Sequence, residues 1–180
     1  MGFDYREEKK LEYSLESLTF WNRLNRSSKV RGMSKIGFII RKLKNHILAL
    51  WAFNCPLNSL RVLFHKWRGV NIGKNVFIGL HCTLDNAWPE YIYLEDNCSL
   101  NGDVYILTHS TSIKGLGDNF ESSVKSVIIK EKAWIGIRST ILPGVIIGEE
   151  AIVSAGCVVN KSVEPRMVVA TAKNRKIPIF

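Results

Sequence analysis

Residues 129–164 read IKEKAW-IGIRST-ILPGVI-IGEEAI-VSAGCV-VNKSVE when the sequence is divided into groups of six. The first position of every group is Ile or Val. The fifth position always holds a small or short side chain: Ala133, Ser139, Val145, Ala151, Cys157 and Val163. This part of the chain is therefore an internal repeat with a six-residue period.

A period of six residues differs from that of an α-helix and fits short strands joined by tight turns. Because side chains alternate across a strand, positions separated by six residues face the same side. The first-position Ile and Val side chains are thus predicted to form a continuous core. The small fifth-position residues are predicted to lie at a crowded inner corner. The sequence predicts an all-β solenoid of flat parallel sheets, in which successive coils stack on each other.

The repeat extends towards the N-terminus with six earlier groups and two interruptions. These groups begin at Ile72, Ile78, Leu84, Leu94, Leu100 and Ile106. At three groups per turn, the twelve groups predict about four coils. A short insertion lies near Trp88, and residues 112–126 are predicted to leave the coil as a longer loop. Loops that interrupt a solenoid often carry its function.

Residues 1–68 are predicted to form an α-helical N-terminal extension, and residues 69–180 the β-helix domain. Residues 1–34 show a polar helical pattern. Residues 35–53 show a basic amphipathic pattern, with apolar side chains along one face and Arg41, Lys42 and Lys44 on the other. Two interpretations of this second helix remain open. It is either a cap over the end of the solenoid or a contact with a membrane surface.

The net charge of +9 is concentrated in one part of the chain. Residues 21–84 contain twelve Lys and Arg residues and neither Asp nor Glu, whereas residues 85–180 contain ten basic and eleven acidic residues. Such a block indicates contact with a polyanion. We expect an anionic membrane surface or a phosphate-bearing substrate as that partner, and no nucleic acid.

The cysteines and the N-terminus indicate a cytoplasmic protein. The four cysteines form no Cys-x-x-Cys pair, and Cys82, Cys98 and Cys157 occupy fifth positions of the repeat. They are therefore interpreted as reduced packing residues. The polar, acidic N-terminus does not have the pattern of a signal peptide, and no apolar run reaches 18 residues. A location at the inner membrane surface stays open because of the basic helix.

Four motifs resemble the hexapeptide-repeat acyltransferases, in particular the polysaccharide, maltose and xenobiotic O-acetyltransferases. They are Trp134-Ile-Gly, Ile141-Leu-Pro-Gly-Val-Ile-Ile-Gly, Ala151-Ile-Val-Ser-Ala-Gly-Cys-Val-Val and Ile106-Leu-Thr-His109. The resemblance spans roughly residues 60–177 and implies a left-handed parallel β-helix and a homotrimer with active sites between subunits. It implies an acetyl-CoA-dependent O-acetyltransferase that acts on a hydroxyl of a sugar or of a surface polysaccharide precursor. At residues 170–175 the chain departs from the Gly-x-Pro-Ala turn with which the family usually ends.

His109 is the residue expected to carry this chemistry. Acyl transfer from a thioester to a hydroxyl needs a base that removes the proton as the oxygen attacks, and imidazole has a suitable pKa. Asp85 and Asn86, in the preceding coil, are candidates to orient the imidazole or to bind the acceptor hydroxyl. The alternative is that both are turn residues. Asp103 is a weaker candidate for the same supporting role.

For coenzyme A, the resemblance implies a groove between the coils of adjacent subunits. It assigns the following residues to that groove: Trp134 as a wall, Ile137, Ala155, Asn160, Lys161 and Arg175. Because Ala155 follows Ile137 by one coil, the two are expected to stack. The basic residues are expected either to meet the phosphates of the coenzyme or to be solvated.

Three other functions are compatible with this fold. N-acetylation of an amino sugar would use the same base. A non-catalytic β-helix scaffold would need no base. The zinc carbonic anhydrases built on the same helix need three histidine ligands at a subunit interface. Only His81 and His109 lie in the predicted coils, so no metal cofactor is expected.

Overall fold

A computed structural model describes residues 3–11, 27–110 and 122–170 of the chain. It begins with strand β1 (Lys9–Leu11), a helical stretch at residues 27–30, and helices α1 (Lys35–Asn54) and α2 (Asn58–Arg68). The strands that follow are β2 (Asn71–Ile72), β3 (Phe77–Ile78), β4 (Thr83–Leu84), β5 (Ile92–Leu94), β6 (Ser99–Leu100), β7 (Tyr105–Ile106), β8 (His109–Ser110), β9 (Ser122–Val124), β10 (Val127–Ile129), β11 (Trp134–Ile135), β12 (Thr140–Ile141), β13 (Ile146–Ile147), β14 (Ile152–Val153), β15 (Val158–Val159) and β16 (Val168–Val169).

Most of these strands form three parallel sheets that wind into a left-handed β-helix. The first sheet contains β2, β5, β10 and β13, the second contains β3, β6, β11, β14 and β16, and the third contains β4, β7, β12 and β15. Each coil takes one strand from each sheet, which gives four complete coils. A bridge from Ile147 to Val163, together with β16, begins a fifth. The predicted fold and the predicted number of coils are confirmed.

The core consists of the first-position side chains, which stack in register between coils. Ile72 pairs with Leu94, Leu94 with Ile129, and Ile129 with Ile147, and all four are buried. The fifth positions are buried as well, including Cys82, Cys98 and Cys157, except Ser110, which lies on β8 outside the coil. Burial raises the pKa of Cys82 to about 11 and that of Cys98 to about 12, so these two thiols stay protonated and pack as small apolar groups.

The corners between sheets are named here in chain order. The first corner joins the first sheet to the second, the second corner joins the second to the third, and the third corner leads to the next coil. Coils approach closely at the corners, as Gly136 illustrates. A Cβ atom at this position would lie 2.5 Å from the backbone nitrogen of Ala155 in the next coil. Glycine in the Trp134-Ile-Gly motif is therefore a packing requirement.

The end of the solenoid is capped by α2, rather than by α1. Arg61 is buried and donates from Nε to the carbonyl oxygen of Ile78 at 2.7 Å, which satisfies a backbone group of the first coil. Burial, with Arg68 and Arg61 close by, lowers the pKa of His65 to about 3. The neutral His65 ring therefore accepts a hydrogen bond from Arg68 at 2.9 Å. Helix α1 packs on the outside of α2.

The prediction of a helical arm over residues 1–34 is wrong at Lys9–Leu11. These residues form β1, which pairs antiparallel with β9. The segment before it covers the outer face of the first sheet, where the Tyr5 and Tyr93 rings meet edge to face at 5.0 Å. Lys130 donates to Glu95 at 2.9 Å beside this contact. Residues 12–26 of the predicted arm lie outside the described residues.

The coil is interrupted twice at the third corner, as predicted. The short insertion folds inwards as a 3-10 turn (Pro89–Tyr91), and Trp88 is buried against Tyr91 rather than looped out. In the longer interruption, β8 and β9 form an antiparallel pair that β1 extends to three strands. The end of the predicted loop at 112–126 is therefore the strand Ser122–Val124, and residues 111–121 lie outside the described residues.

Candidate active site

His109 and Asp85 meet at the third corner of the helix. Nδ1 of His109 lies 2.5 Å from Oδ2 of Asp85. The carboxylate is almost fully buried, with 2% of its side chain exposed, while 31% of the imidazole is exposed. The sequence predicted both residues as site candidates, and the structure brings them into direct contact.

The hexad register explains why these two residues meet. Leu84 and Ile106 pair across β4 and β7, so the residues after them leave the third sheet at the same corner in consecutive coils. The backbone nitrogen of Asp85 donates to Ile106 O at 2.9 Å. The chain then departs from the coil at Thr108, whose carbonyl accepts from Lys125 N at 2.8 Å. His109 is the first residue of the projecting hairpin and stands directly above Asp85.

The Asp85 carboxylate is held by a full set of donors. Oδ2 accepts from the backbone nitrogen of Thr108 at 3.0 Å and from its hydroxyl at 2.8 Å, in addition to His109. Oδ1 accepts from the backbone nitrogens of Ala87 at 2.8 Å and Trp88 at 3.3 Å. Burial alone would raise the pKa of Asp85, but the bonds from His109 and Thr108 outweigh it and hold the pKa well below its usual value. The group is therefore an anion at neutral pH.

An ionised carboxylate fixes the state of the imidazole. Because Asp85 can only accept, Nδ1 of His109 must carry a proton and donate it. Nε2 is then the acceptor nitrogen in the neutral ring. The hydrogen bond to Asp85 raises the pKa of His109 above its ordinary value, and burial only partly opposes it. The pair has the arrangement of a general base supported by a buried anion.

Three residues that the sequence reasoning missed surround this pair. Thr108 is fully buried and belongs to the same Ile-Leu-Thr-His motif, which was the available signal for it. Arg31 lies 3.6 Å from the ring centroid of Trp88, and its charge acts against Asp85 by lowering the pKa of His109. Arg68, at the end of α2, donates to the carbonyl oxygens of Leu84 at 2.9 Å and Asp85 at 3.1 Å. A sequence pattern gives no indication that the cap reaches this corner.

Asn86 lies beside the pair but is turned towards the cap. Its Oδ1 accepts from Arg68 at 3.2 Å, and the side chain is exposed at the mouth of the corner. It does not touch His109 in the described contacts. Asp103 lies at the second corner, 3.7 Å from His81, and so belongs to a different part of the molecule.

The predicted coenzyme residues divide between two corners. Trp134, Ile137 and Ala155 lie on the second sheet and at the second corner, where Gly156 N donates to Ile137 O at 2.8 Å, so the predicted stacking is confirmed. Asn160 and Lys161 lie exposed at the third corner, two coils from His109. Within one chain, the residues at the second corner therefore lie apart from those at the third corner. Arg175 lies outside the described residues, as do residues 171–174 of the stretch that departs from the Gly-x-Pro-Ala turn.

Within residues 3–11, 27–110 and 122–170, no group of three or more His, Cys, Asp or Glu side chains is arranged to hold a metal ion. His81 and His109, the two histidines of the coils, lie at different corners and pair with different carboxylates. The described residues thus offer no donor set for the three-histidine zinc site considered above.

Two family models match the coils. Residues 126–161 match the bacterial transferase hexapeptide family (six repeats), and residues 69–108 match the hexapeptide repeat of succinyl-transferase. Among curated proteins, the chain is 31% identical over 125 residues to YvoF of Bacillus subtilis (strain 168), which is named as a candidate acetyltransferase; the match covers 69% of each chain. The chain spans only 46–48% of the length of other curated relatives that it matches.

Solved structures share the fold at low sequence identity. The hexapeptide-repeat acetyltransferase VCA0836 of Vibrio cholerae has a TM-score of 0.59 at 21% identity, over 72% of this chain and 84% of that one. A maltose O-acetyltransferase of Clostridium difficile 630 has a TM-score of 0.56 at 21% identity, over 72% and 81% of the two chains. With the repeat register, the family models and the match to YvoF taken together, the chain belongs to the hexapeptide-repeat acetyltransferase family.

Proposed function

We propose that the protein is an acetyl-CoA-dependent O-acetyltransferase that acts on a hydroxyl of a sugar or of a surface polysaccharide precursor. The observation that carries this proposal is the 2.5 Å contact between the buried Asp85 carboxylate and the partly exposed His109 imidazole. Maltose O-acetyltransferase of Clostridium difficile shares the fold, and its name supports a sugar as the acceptor class.

The pair fits the chemistry of acyl transfer to a hydroxyl. His109 Nε2 accepts the proton of the acceptor hydroxyl while the oxygen attacks the thioester carbonyl carbon. The buried Asp85 anion stabilises the imidazolium that results. Collapse of the tetrahedral intermediate breaks the carbon–sulfur bond, and coenzyme A leaves as a thiol after His109 returns the proton. The products are the acetyl ester and free coenzyme A, and the base is regenerated.

Acetyl-CoA is proposed to bind along the outside of the coils. The Vibrio cholerae neighbour has also been solved in complex with acetyl coenzyme A. In this chain Trp134 and Ile137 expose nearly half of their surface on the outside of the helix, which suits the wall of a groove for the pantetheine arm. Asn160, Lys161 and Arg175 are proposed for the phosphate-bearing end. Because His109 lies apart from Ile137 and Lys161 in one chain, we infer that the complete site needs a second subunit.

A homotrimer is proposed as the active form. On the outer face of the second sheet, Phe77, Ser99, Trp134, Ile152 and Val168 stand in one register column. The four apolar members of this column are exposed, whereas the N-terminal segment covers Tyr93 at the equivalent position of the first sheet. An exposed apolar column of this kind suits a contact between subunits.

Light scattering should give three times the mass of the chain, and Ile152→Glu should lower that mass. A carboxylate in the centre of an apolar interface costs enough binding energy to separate the subunits. As the trimer dissociates, the affinity for acetyl-CoA should fall by about tenfold or more. Ile146→Glu is the matched control, because Ile146 is equally exposed, at 39%, but lies on the first sheet. A fully active monomer would contradict the assembly.

The proposed reaction is tested by incubating the purified protein with acetyl-CoA and a panel of neutral glycans and amino sugars. Release of free thiol should depend on a glycan hydroxyl, and the product should lose its acetyl group in mild alkali, as esters do. A product stable to alkali and formed only with an amino sugar would identify an N-acetyltransferase. No coenzyme A binding by titration and no thiol release with any acceptor would identify a scaffold.

The proposed location is the cytoplasm. All four cysteines lie within the described residues and none forms a disulfide, which agrees with a reducing compartment.

A further inference from the structure

Helix α1 presents its apolar face outwards. Seven large apolar side chains on this helix are between 38% and 72% exposed: Ile36, Ile39, Ile40, Leu43, Ile47, Leu50 and Trp51. At about 3.6 residues per turn they fall within one arc of roughly 120°. This stripe is the apolar face of the amphipathic helix that the sequence pattern predicted, for which a solenoid cap and a membrane contact were both open.

The side of α1 that packs on the protein is the opposite one. Its buried residues are Asn45, Leu48 and Ala52, and Arg41 on the same side forms an ion pair with Glu90 at 2.6 Å. In a helix that folds onto a core, the large apolar side chains face inwards. Here Leu48 is the one large apolar side chain among these buried residues, so packing within the chain does not account for the apolar stripe.

The exposed surface continues from α1 onto α2 through aromatic contacts. The Trp51 and Phe64 rings lie 5.7 Å apart, and the Phe64 and Trp67 rings lie 6.1 Å apart. Trp67 is 54% exposed. The docking face is defined here as the seven apolar residues of α1 together with Trp67. Tryptophan is enriched where proteins meet the interface between lipid and water.

Basic side chains border the docking face on both sides. Lys35 and Lys42 follow one edge of the apolar arc, and Lys44 follows the other, where its Nζ donates to the Trp67 carbonyl oxygen at 3.0 Å. Neither α1 nor α2 contains an acidic residue. Long basic side chains at the edge of an apolar stripe place their charges at the level of phosphate headgroups while the stripe enters the acyl region.

We propose that the docking face binds the surface of an anionic lipid bilayer. The apolar stripe supplies burial, and the basic border selects negative headgroups. No helix in the described part of the chain is long and apolar enough to cross a membrane. The contact therefore lies in the plane of the surface. Arg68, in the same cap, donates a hydrogen bond to the backbone carbonyl oxygen of Asp85. A bilayer bound to the cap would therefore lie near the end of the solenoid that carries the site.

Vesicle sedimentation tests the proposal with the full-length protein. Vesicles of phosphatidylcholine mixed with phosphatidylglycerol should bind the protein at low salt, and pure phosphatidylcholine should bind it much less. Leu43→Glu with Leu50→Glu should abolish binding, because both side chains leave water on docking. Lys42→Gln with Lys44→Gln should weaken binding to mixed vesicles by about tenfold or more and reduce its salt dependence. Arg41 is left unchanged because it is paired with Glu90.

Controls separate this role from other uses of the face. Lys74→Gln with Lys132→Gln removes two exposed charges at the first corner and should leave vesicle binding unchanged. The mutated residues of α1 are exposed, so the variants should keep the circular dichroism of the parent protein. Failure of the parent protein to sediment with anionic vesicles would overturn the proposal. A fall in oligomer mass with the Leu43→Glu and Leu50→Glu variant would overturn it too, because the face would then join copies of this chain.

Discussion

Replacement of His109 by alanine is expected to lower the rate of acetyl transfer by about 10²–10⁴-fold, the usual contribution of a general base. Each factor of ten corresponds to about 1.4 kcal/mol of transition-state stabilisation. Without the imidazole, the acceptor hydroxyl must lose its proton to water during attack. Nothing else in the described contacts of the pair replaces this function, since Asp85 is buried and saturated with donors.

The fold of this variant should remain intact, because β8 pairs with β9 through its backbone and the imidazole is partly exposed. Affinity for acetyl-CoA should also be unchanged, since the base acts only in the transition state. Free-thiol release and circular dichroism measure the two properties. His81→Asn is the matched control: His81 also pairs with an aspartate, but at the second corner. Its positive φ of 60° suits asparagine. Near-normal turnover in folded His109→Ala protein would remove His109 from the mechanism.

Replacement of Asp85 by asparagine is expected to have the second-largest effect, with a loss of about 10²-fold or more in turnover. An asparagine amide can donate to Nδ1 of His109, which would place the ring proton on Nε2 and leave no base facing the acceptor. The amide also lacks the negative charge that stabilises the imidazolium. In this orientation the asparagine amide nitrogen faces the backbone N–H of Thr108, and both groups are donors. The buried N–H is then left without an acceptor, so the free energy of unfolding should fall by about 1–3 kcal/mol.

The pH profile distinguishes this electrostatic role from a structural one. Only neutral His109 is a base, so activity of the parent protein should rise with pH through a pKa that Asp85 raises above the ordinary value near 6.5. In Asp85→Asn the hydrogen bond to the anion is gone, and the rising limb of the residual activity should move to lower pH. Asp103→Asn, at the His81 pair, should leave both the rate and the profile unchanged. An unshifted limb in Asp85→Asn would contradict the assigned role.

The free energy of unfolding of the parent protein should also fall in acid, but at a lower pH than the activity. The folded pKa of Asp85 lies below the ordinary value near 3.9. Its stabilising contribution is therefore present above about pH 4 and is lost as the pH falls further. The Asp85→Asn variant lacks a titrating group at this position and should not show that part of the acid dependence in urea titrations.

The sequence predicted the β-helix well because one physical rule governs every coil. A first-position side chain such as Ile129 faces inwards wherever it occurs, so register, core and corners follow from the repeat alone. The same register placed Asp85 and His109 at one corner in consecutive coils. The buried thiols of Cys98 and Cys157 were predictable for the same reason.

Features that depend on distant partners were not predictable from local pattern. Lys9–Leu11 is a polar stretch without strand alternation, and it is a strand only because β9 offers an edge. The apolar period of α1 identified a face correctly but carried no information about what covers that face. Arg68 reaches Asp85 through the geometry of the cap, and no spacing in the sequence indicates such a contact. The catalytic role of His109, the residues assigned to the coenzyme groove and the division of the chain at residues 68 and 69 remain predictions.

The pairing of β1 with β9 affects the order in which the protein matures. Each coil closes against its immediate predecessor, so the solenoid can form progressively as the polypeptide is synthesised. The hairpin that carries His109 is different, because its outer strand comes from the start of the chain. Closing so long a segment costs entropy that only the finished coils can offset. The third strand of that hairpin therefore joins late, and the enzyme acquires its working geometry after most of its core already exists.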